Sequence, residues 1–492
     1  MSKYYISTSI PYVNGAPHIG HTLEFVQTDV LARYHRQKGN NVFFLSGTDE
    51  NSLKNVRKAL EKDMDVKDLV DQNSKKFLQL QEKYNIKLDD FIRTTEERHI
   101  KGVQKLWEAC KKDIYKKKYK GLYCVGCERF YKESELVDGL CPDHKKAPEL
   151  VEEENYFFKL SNYSDQLKGL IEKDKIRIVP ETRKNEALSI IEQGLEDICI
   201  SRSKERAHGW GIPVPGDDSQ VIWVWFDALS NYINALGYGG GKDRFKEWWE
   251  ENNNKTHIVG KGISRFHALY WPGMLLSAGI SLPETIFVHG YITSKGEKMS
   301  KSLGNVVDPF DVYERYGSEG IRYFLLREIP PFKDGDFTDQ KFEDRYDSDL
   351  AKGLGNLVAR VLSIADKIKI KDSLISKKEI DSSEFKSEIK KTKEEVDSYL
   401  NDFEFNKALK SVWELISFCD QFIEKERVWE ESENQEKKIL LLIYTIHQIS
   451  RLLKSFLPET AEKILSGIKI KEEKEDLKIS AQKIKPLFPK LN

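Results

Sequence analysis

A doubly wound parallel α/β sheet, interrupted by an insertion and followed by an all-α bundle, is the fold class predicted for this chain. Three observations predict it. A β-rich segment, a helical one and a second β-rich one follow each other within the first 50 residues, which is a βαβ unit. Strand-like apolar segments return after residue 220. From about Arg345 the pattern is almost purely helical in period, with Gly and Pro rare. At 492 residues the chain has room for two to four domains, because single cores stop growing near ~250–300 residues.

The elements follow in order. Tyr4 to Ile10 is β-rich and ends at Pro11. Asn14, Gly15 and Pro17 are turn formers. Ile19 to about Lys38 has Leu23, Val26, Val30 and Tyr34 on one face, and Gly39-Asn40-Asn41 stops it. Val42 to Ser46 is a buried strand, followed by Gly47-Thr48-Asp49-Glu50. Residues 60–115 read as lysine-rich helices with a stripe through Leu69, Phe77, Leu80 and Tyr84. Short strands and turns run from about Tyr115 to Ser201, with a helix at 184–195. Val221–Phe226, His257–Val259 and Thr285–His289 read as strands of the returning sheet. The mixed-charge stretch 373–395 reads as a solvated helix surface.

Composition excludes several classes. Lys plus Arg number 79 against 80 Asp plus Glu, for a net charge of −1, so a polybasic coating protein is excluded at the whole-chain level. With 39% hydrophobic and 32% charged residues the chain is not disordered. Six cysteines in such a length do not make a disulfide scaffold, which points to a reducing compartment. No run approaches the ~20 apolar residues of a membrane helix. The N-terminus has neither a signal-peptide core nor an Arg-rich leader. A cytoplasmic protein with no membrane partner is expected.

Three motifs carry chemistry. Pro17-His18-Ile19-Gly20-His21 lies where a strand turns into a helix, the place where open α/β sheets bind ligands and where free backbone N–H groups attract phosphate. His18 and His21 are three apart and share a face of the first turn, and two imidazoles there can donate to a phosphoryl group as charge builds. Gly20 leaves room for a nucleotide beside the backbone. Lys298-Met299-Ser300-Lys301-Ser302 follows Gly296 and precedes Gly304, a loop whose two ammonium groups can close over a triphosphate. Cys124-x2-Cys127-x13-Cys141-x2-His144 sets four soft ligands in two tight pairs, the spacing of a closed, structural zinc knuckle. Cys110, Cys199 and Cys419 are isolated and read as packed thiols.

The pair His18–His21 and Lys298–Ser302 matches, letter for letter, the HIGH and KMSKS signatures of class I aminoacyl-tRNA synthetases. Further segments resemble the methionyl-tRNA synthetase family: Pro11–Gly15, Gly47–Glu50, Val224–Leu229, Phe287–Tyr291 and Pro486–Pro489. The resemblance runs over essentially the whole chain. It implies a Rossmann-type catalytic domain in two halves, 1–115 and 221–290, around a connective-peptide insertion at 116–220. It also implies a KMSKS loop and stem-contact region at 291–345 and an anticodon-binding helical domain at 346–492.

By the same resemblance, His18, His21, Lys298 and Lys301 are catalytic, and Pro17, Gly20, Gly260 and Ser300 join them in binding ATP, which brings Mg²⁺. Ile10, Tyr12, Asp49, Trp225, Ala228, Leu229, Tyr232 and His289 fall where the family binds methionine. An aromatic pocket with few polar groups suits an unbranched, polarizable thioether. Asp49 falls where the ammonium binds. Asn356 and Arg360, one helical turn apart, match readers of a CAU anticodon, and Trp429 matches a tryptophan under an unstacked base. The implied partners are methionine, ATP and tRNA(Met), the initiator included.

Two positions depart from the family. Gly262 replaces an Asp that contacts ribose hydroxyls in the family, which predicts weaker ATP binding than in a Gly262→Asp variant, checked by titration with ATP; the glycine is neutral instead if Gly260 holds the ribose. Val428 replaces a Pro before Trp429. Lys111, Lys112 and Lys116–Lys118 are candidates for acceptor-stem phosphates or a solvated face. The chain ends just after Pro489, so a monomer is expected. A cysteinyl enzyme and a non-catalytic tRNA-binding relative are the rival readings. The cysteinyl enzyme places its zinc on the substrate thiol, whereas here all four ligands cluster in the insertion.

Overall fold

A computed structural model describes residues 2–142, 145–240, 242–299 and 305–489, with the side chains of Arg129, Lys242 and Lys298 outside that description. The chain divides into two compact units. One holds Met1–Pro17, His35–Glu82 and Ile86–His289, and the other holds His18–Tyr34, Lys83–Asn85 and Gly290–Asn492.

The first unit is built on a six-stranded sheet in the order Asp90–Arg93, Asn41–Thr48, Lys3–Thr8, Lys255–Gly260, Thr285–His289, Arg177–Val179. All five pairings are parallel. The order reverses between Lys3–Thr8 and Lys255–Gly260, so this is a doubly wound sheet with its switch point there. The central strands carry continuous apolar runs because both faces are covered: Tyr5, Ile6, Phe44, Leu45, Ile258 and Val259 are fully buried.

Several elements differ from the sequence expectation. Asp90–Arg93 is an edge strand inside the stretch read as helical. Arg177–Val179, within the stretch read as insertion, pairs with Thr285–Phe287 in the main sheet. The insertion's own helices are Ser164–Glu172 and Glu181–Glu192. Val221–Phe226 is not a strand of the parallel sheet. Asp217–Ile222 joins a separate three-stranded antiparallel sheet, and Val224–Leu229 is helical. A short apolar run has no period by which strand and buried helix can be told apart.

The second unit is mainly helical, with Pro309–Arg327, Asn356–Lys367, Glu384–Asn401, Phe405–Glu426 and Gln435–Leu453 as its longer members. It is not all-α. Ser373–Ser376, Asp476–Ala481 and Ile468–Glu473 form an antiparallel sheet, so part of the stretch 373–395 is strand. His18 and residues 19–34 of the helix Ile19–Gln37 belong to this unit. Asp29 and Arg322, both fully buried, pair there at 2.8 Å. Arg322 also donates to the carbonyls of Phe456 at 2.8 Å and Tyr84 at 3.1 Å.

Candidate functional site

In the first unit the candidate pocket residues lie at or beyond the carboxyl ends of the sheet strands. Tyr12 and Asp49 form an isolated parallel bridge, with the Asp49 N–H donating to Pro11 O at 2.9 Å. The Tyr12 ring meets Trp225 edge-on at 6.3 Å, and Trp225 stacks on Phe266 at 3.6 Å. Tyr12 Oη, Asp49 Oδ1 and Trp225 Nε1 are buried with no hydrogen-bond partner among the described residues. A buried donor or acceptor without a partner is costly, so three such atoms on Tyr12 and its neighbours Asp49 and Trp225 mark a place shaped for a polar ligand group. Burial, together with the Asp227 and Glu128 carboxylates, holds the Asp49 carboxyl well above its ordinary range. The Lys54 ammonium lies 4.1 Å from the Tyr12 ring centre.

The other pocket candidates are tied to the same sheet. Tyr232 Oη lies 2.7 Å from His267 Nε2, and His267 Nδ1 lies 3.0 Å from Ile263 O. A carbonyl only accepts, so Nδ1 carries the proton and, in the neutral ring, Nε2 accepts from the tyrosine. Gly260 and His289 stand opposite each other at the ends of neighbouring strands, and a Cβ on Gly260 would meet the His289 ring at 3.5 Å. Ile10 packs against Gly47, where any Cβ would lie 2.1 Å from Ile92 O. Ala228 and Leu229 are buried on the short helix with Asp227, which is held by His99 Nε2 at 2.6 Å and Asn51 Nδ2 at 2.8 Å. Phe266 and His267 end the Gly260–His267 segment, which resembles a nucleotide-binding stretch, but nothing in their spacing puts them beside the aromatic pocket, and Lys54 carries no sequence signal at all.

In the second unit the first turn of Ile19–Gln37 arranges the two histidines. His18 N–H donates to His21 Nδ1 at 3.1 Å, and Gly20 N–H donates to His18 Nδ1 at 3.1 Å. The rings stack at 3.9 Å. Both Nδ1 atoms accept from backbone, so each neutral ring carries its proton on Nε2. A Cβ on Gly20 would lie 2.9 Å from His18 Cε1, so the glycine is what lets that ring fold back over its own backbone. Pro17, the last residue before this turn, closes its own segment of the first unit.

Ile19 N–H donates to Val307 O at 3.1 Å, which fastens the first motif to the segment that follows the second. Glu297–Lys298 pairs antiparallel with Ile292–Ser294, which pairs in turn with Gly335–Phe337. Asp336 Oδ1 accepts from Gly296 N at 2.7 Å and Thr293 Oγ1 at 2.9 Å, fixing the turn before Lys298. The Lys298 side chain, Ser300 and Lys301 lie outside the described residues.

The sulfurs of Cys124, Cys127 and Cys141 lie within 4.8 Å of one another, and Cys127 and Cys141 are 3.4 Å apart. Thiolates around a tetrahedral zinc at ~2.3 Å stand about 3.8 Å from each other, so the three fit one ion. His144 lies outside the described residues. Glu128, next to Cys127, is fully buried and accepts from Tyr123 Oη, from Arg202 at 3.3 Å and from Ser52 Oγ at 3.2 Å. Ser52 Oγ also caps the helix that carries Lys54. The knuckle turn is thereby linked by hydrogen bonds to the Tyr12 side of the pocket.

In the helical unit Asn356 opens Asn356–Lys367, and Arg360 follows one turn later. Arg360 donates to Glu424 at 2.6 Å and lies 5.8 Å from the Trp429 ring centre. Trp429 is 41% exposed, high for so large an aromatic. Val428 is buried and its carbonyl accepts from Gln435 Nε2 at 3.1 Å. Elsewhere, Lys111 pairs with Glu108 and Lys116 with Asp217, so neither stands as a bare charge.

A class I tRNA synthetase (M) family model matches residues 4–147 and 144–362, and an anticodon-binding domain of tRNA ligase matches 383–489. The methionine–tRNA ligase of Brucella suis is 39% identical over 489 residues, covering 96% of this chain and 93% of that protein. The methionine–tRNA ligase of Clostridium tetani is 41% identical over 473 residues, covering 94% of this chain and 73% of that one. The Mycobacterium tuberculosis methionyl-tRNA synthetase in complex with methionyl-adenylate superposes with a TM-score of 0.92 at 35% identity, over 99% of this chain and 100% of that one.

Proposed function

Since this chain belongs to the methionyl-tRNA synthetase family and is an ATP-dependent methionine–tRNA ligase, we propose how its own residues divide that work. In the first step a methionine carboxylate oxygen bonds to the α-phosphorus of ATP, the bond to the β-phosphate oxygen breaks, and pyrophosphate leaves. In the second, a hydroxyl of the tRNA 3′-adenosine attacks the methionyl carbonyl, AMP departs, and the hydroxyl proton is released. No residue need form a covalent bond. The protein supplies orientation and charge stabilisation.

Tyr12, Trp225, Tyr232 and His289, with Ile10, Ala228 and Leu229, hold the methionine side chain. Asp49 Oδ1 accepts from the substrate ammonium. His18 and His21 donate through Nε2–H to the α-phosphoryl oxygens as negative charge grows there. Pro17, Gly20 and Gly260 let the nucleotide approach backbone. Lys298 and Lys301, with Ser300, hold the departing pyrophosphate, whose charge is also countered by the Mg²⁺ that accompanies ATP. The observation that carries this reading is the hydrogen bond from Ile19 N–H to Val307 O, which joins the segments bearing the two signatures.

Cys124, Cys127, Cys141 and His144 hold a structural zinc with no open position and no part in the reaction. Fewer than one zinc per folded chain in metal analysis would remove that assignment. Asn356, Arg360 and Trp429 read the anticodon of tRNA(Met), initiator included. A cytoplasmic monomer is the working form. Amino-acid-dependent ATP–pyrophosphate exchange across all twenty amino acids tests the assignment. Methionine alone should support exchange at low substrate concentration, and exchange driven by another amino acid instead would overturn it.

A further inference from the structure

We propose that the outer face of the small antiparallel sheet in the helical unit is a second RNA-binding surface, a lysine-lined groove that takes tRNA backbone phosphates beside the anticodon. The proposal rests on the reading of this unit as the anticodon-binding part.

Strand alternation makes the surface. Ile468, Leu477 and Ile479 are buried, so Lys469, Lys471, Lys478 and Ser480 turn to the opposite face. The register sets Lys469 against Ser480 and Lys471 directly against Lys478. Like charges facing each other across two strands destabilise a sheet, and this pair buries nothing in return. Lys478 has partial compensation, at 3.7 Å from Glu473 and 4.0 Å from Asp372. Lys371, Lys469 and Lys471 make no ion pair among the described residues. These four lysines line a groove of about 310 Å³, with Asp372 as the acidic residue in the lining, itself occupied by Ser480 Oγ at 3.1 Å. Four lysines against Asp372 in the lining and Glu473 beside Lys478 leave a local surplus of two positive charges in a chain whose net charge is −1.

The location selects the ligand. Ser373 Oγ, at the edge of this sheet, donates to Glu436 at 2.7 Å in the first turn of Gln435–Leu453. The preceding residue, Gln435, donates to Val428 O, and Trp429 comes next. The edge strand that follows Lys371 and Asp372 is therefore linked through two hydrogen bonds to the loop that presents Trp429. The match to an anticodon-binding domain, 383–489, covers Trp429 and the 468–481 hairpin, with Lys371 and Asp372 lying before its start. RNA with a base on Trp429 brings its backbone over neighbouring protein surface. Lysine is depleted from protein–protein interfaces but is a standard partner of nucleic-acid phosphates, which favours RNA over an acidic protein.

The test is the triple variant Lys371→Gln/Lys469→Gln/Lys471→Gln, measured beside Trp429→Ala and the matching triple Arg variant. Each is assayed for tRNA aminoacylation over a range of salt and for pyrophosphate exchange. The Gln variant should raise the KM for tRNA by about tenfold or more at low salt. It should flatten the plot of log affinity against log salt by about 2, since each phosphate contact contributes ~0.7–0.9. Exchange should be unchanged, and the Arg variant should behave as the parent. The loss should be equal for tRNAs of altered anticodon, because phosphate contacts carry no sequence information. An unchanged KM or an unchanged salt slope overturns the groove. If Trp429→Ala still impairs charging in that case, the anticodon reading stands without it. If Trp429→Ala charges normally, the reading beneath the proposal has itself failed.

Discussion

Gly20 is the residue on which the histidine pair turns. Its N–H reaches His18 Nδ1 only because no Cβ blocks the ring, and that bond puts the His18 proton on Nε2. A Gly20→Ala variant should keep its fold but push the ring out of register, cutting kcat for pyrophosphate exchange by about 10²-fold, the cost of an ~1 Å misplacement. Steady-state kinetics with a melting curve as control checks this, and a kcat within a factor of two of the parent would contradict it. Asp49 makes the second prediction. Its carboxyl is held above the ordinary range by burial and by Asp227 and Glu128, and only its ionised form attracts an ammonium. As pH falls towards that raised value the carboxylate takes up a proton, so the KM for methionine should climb on acidification, and at a higher pH than an ordinary carboxylate would give. Asp49→Asn should raise KM at every pH and abolish that climb. Parallel pH profiles of the two proteins test it.

Elements of the second unit are joined by a buried charge pair. Asp29 lies on Ile19–Gln37 ten residues after the first signature begins to form its turn, and Arg322 lies on Pro309–Arg327 after the second. Asp29 holds Arg33 at 2.6 Å as well as Arg322 at 2.8 Å, and neither Asp29 nor Arg322 touches water. Removing Arg322 leaves buried Asp29 with Arg33 as its one remaining cation and strips the carbonyls of Tyr84 and Phe456 of a donor. Arg322→Leu should therefore destabilise the protein by about 3–5 kcal/mol in denaturant unfolding. A loss below about 1 kcal/mol would show the pair to be dispensable. The sequence contained this pair but nothing in it marked it, because an Asp and an Arg almost 300 residues apart are not visibly partners.

At the scale of the whole molecule, charge is nearly balanced, so attraction for tRNA has to come from local surfaces. Methionine activation involves small ligands held in enclosed sites, whereas tRNA is bound through many phosphates. Raising the salt should therefore weaken aminoacylation steeply while pyrophosphate exchange changes little. Parallel salt titrations of the two assays check this, and equal sensitivity would show that tRNA phosphates contribute no more than the nucleotide's.

The opening βαβ unit, the helical character of the chain's last third, the two signatures, the cysteine spacing and the family all followed from the chain read as text, whereas the edge strand Asp90–Arg93 did not. Those that followed are local patterns: periods of two and 3.6, turn residues, and short motifs whose members are close in sequence. The strand Arg177–Val179, the helix at Val224–Leu229 and the sheet built from Ser373–Ser376 and the 468–481 hairpin did not follow. Three residues carry no readable period, and an apolar run suits either a strand or a buried helix until its neighbours choose. The proton positions on His18 and His21, the Asp29–Arg322 pair and the facing lysines of the hairpin belong to tertiary structure alone. They depend on which groups folding brings within hydrogen-bond or Coulomb range, and sequence separation says nothing about that distance.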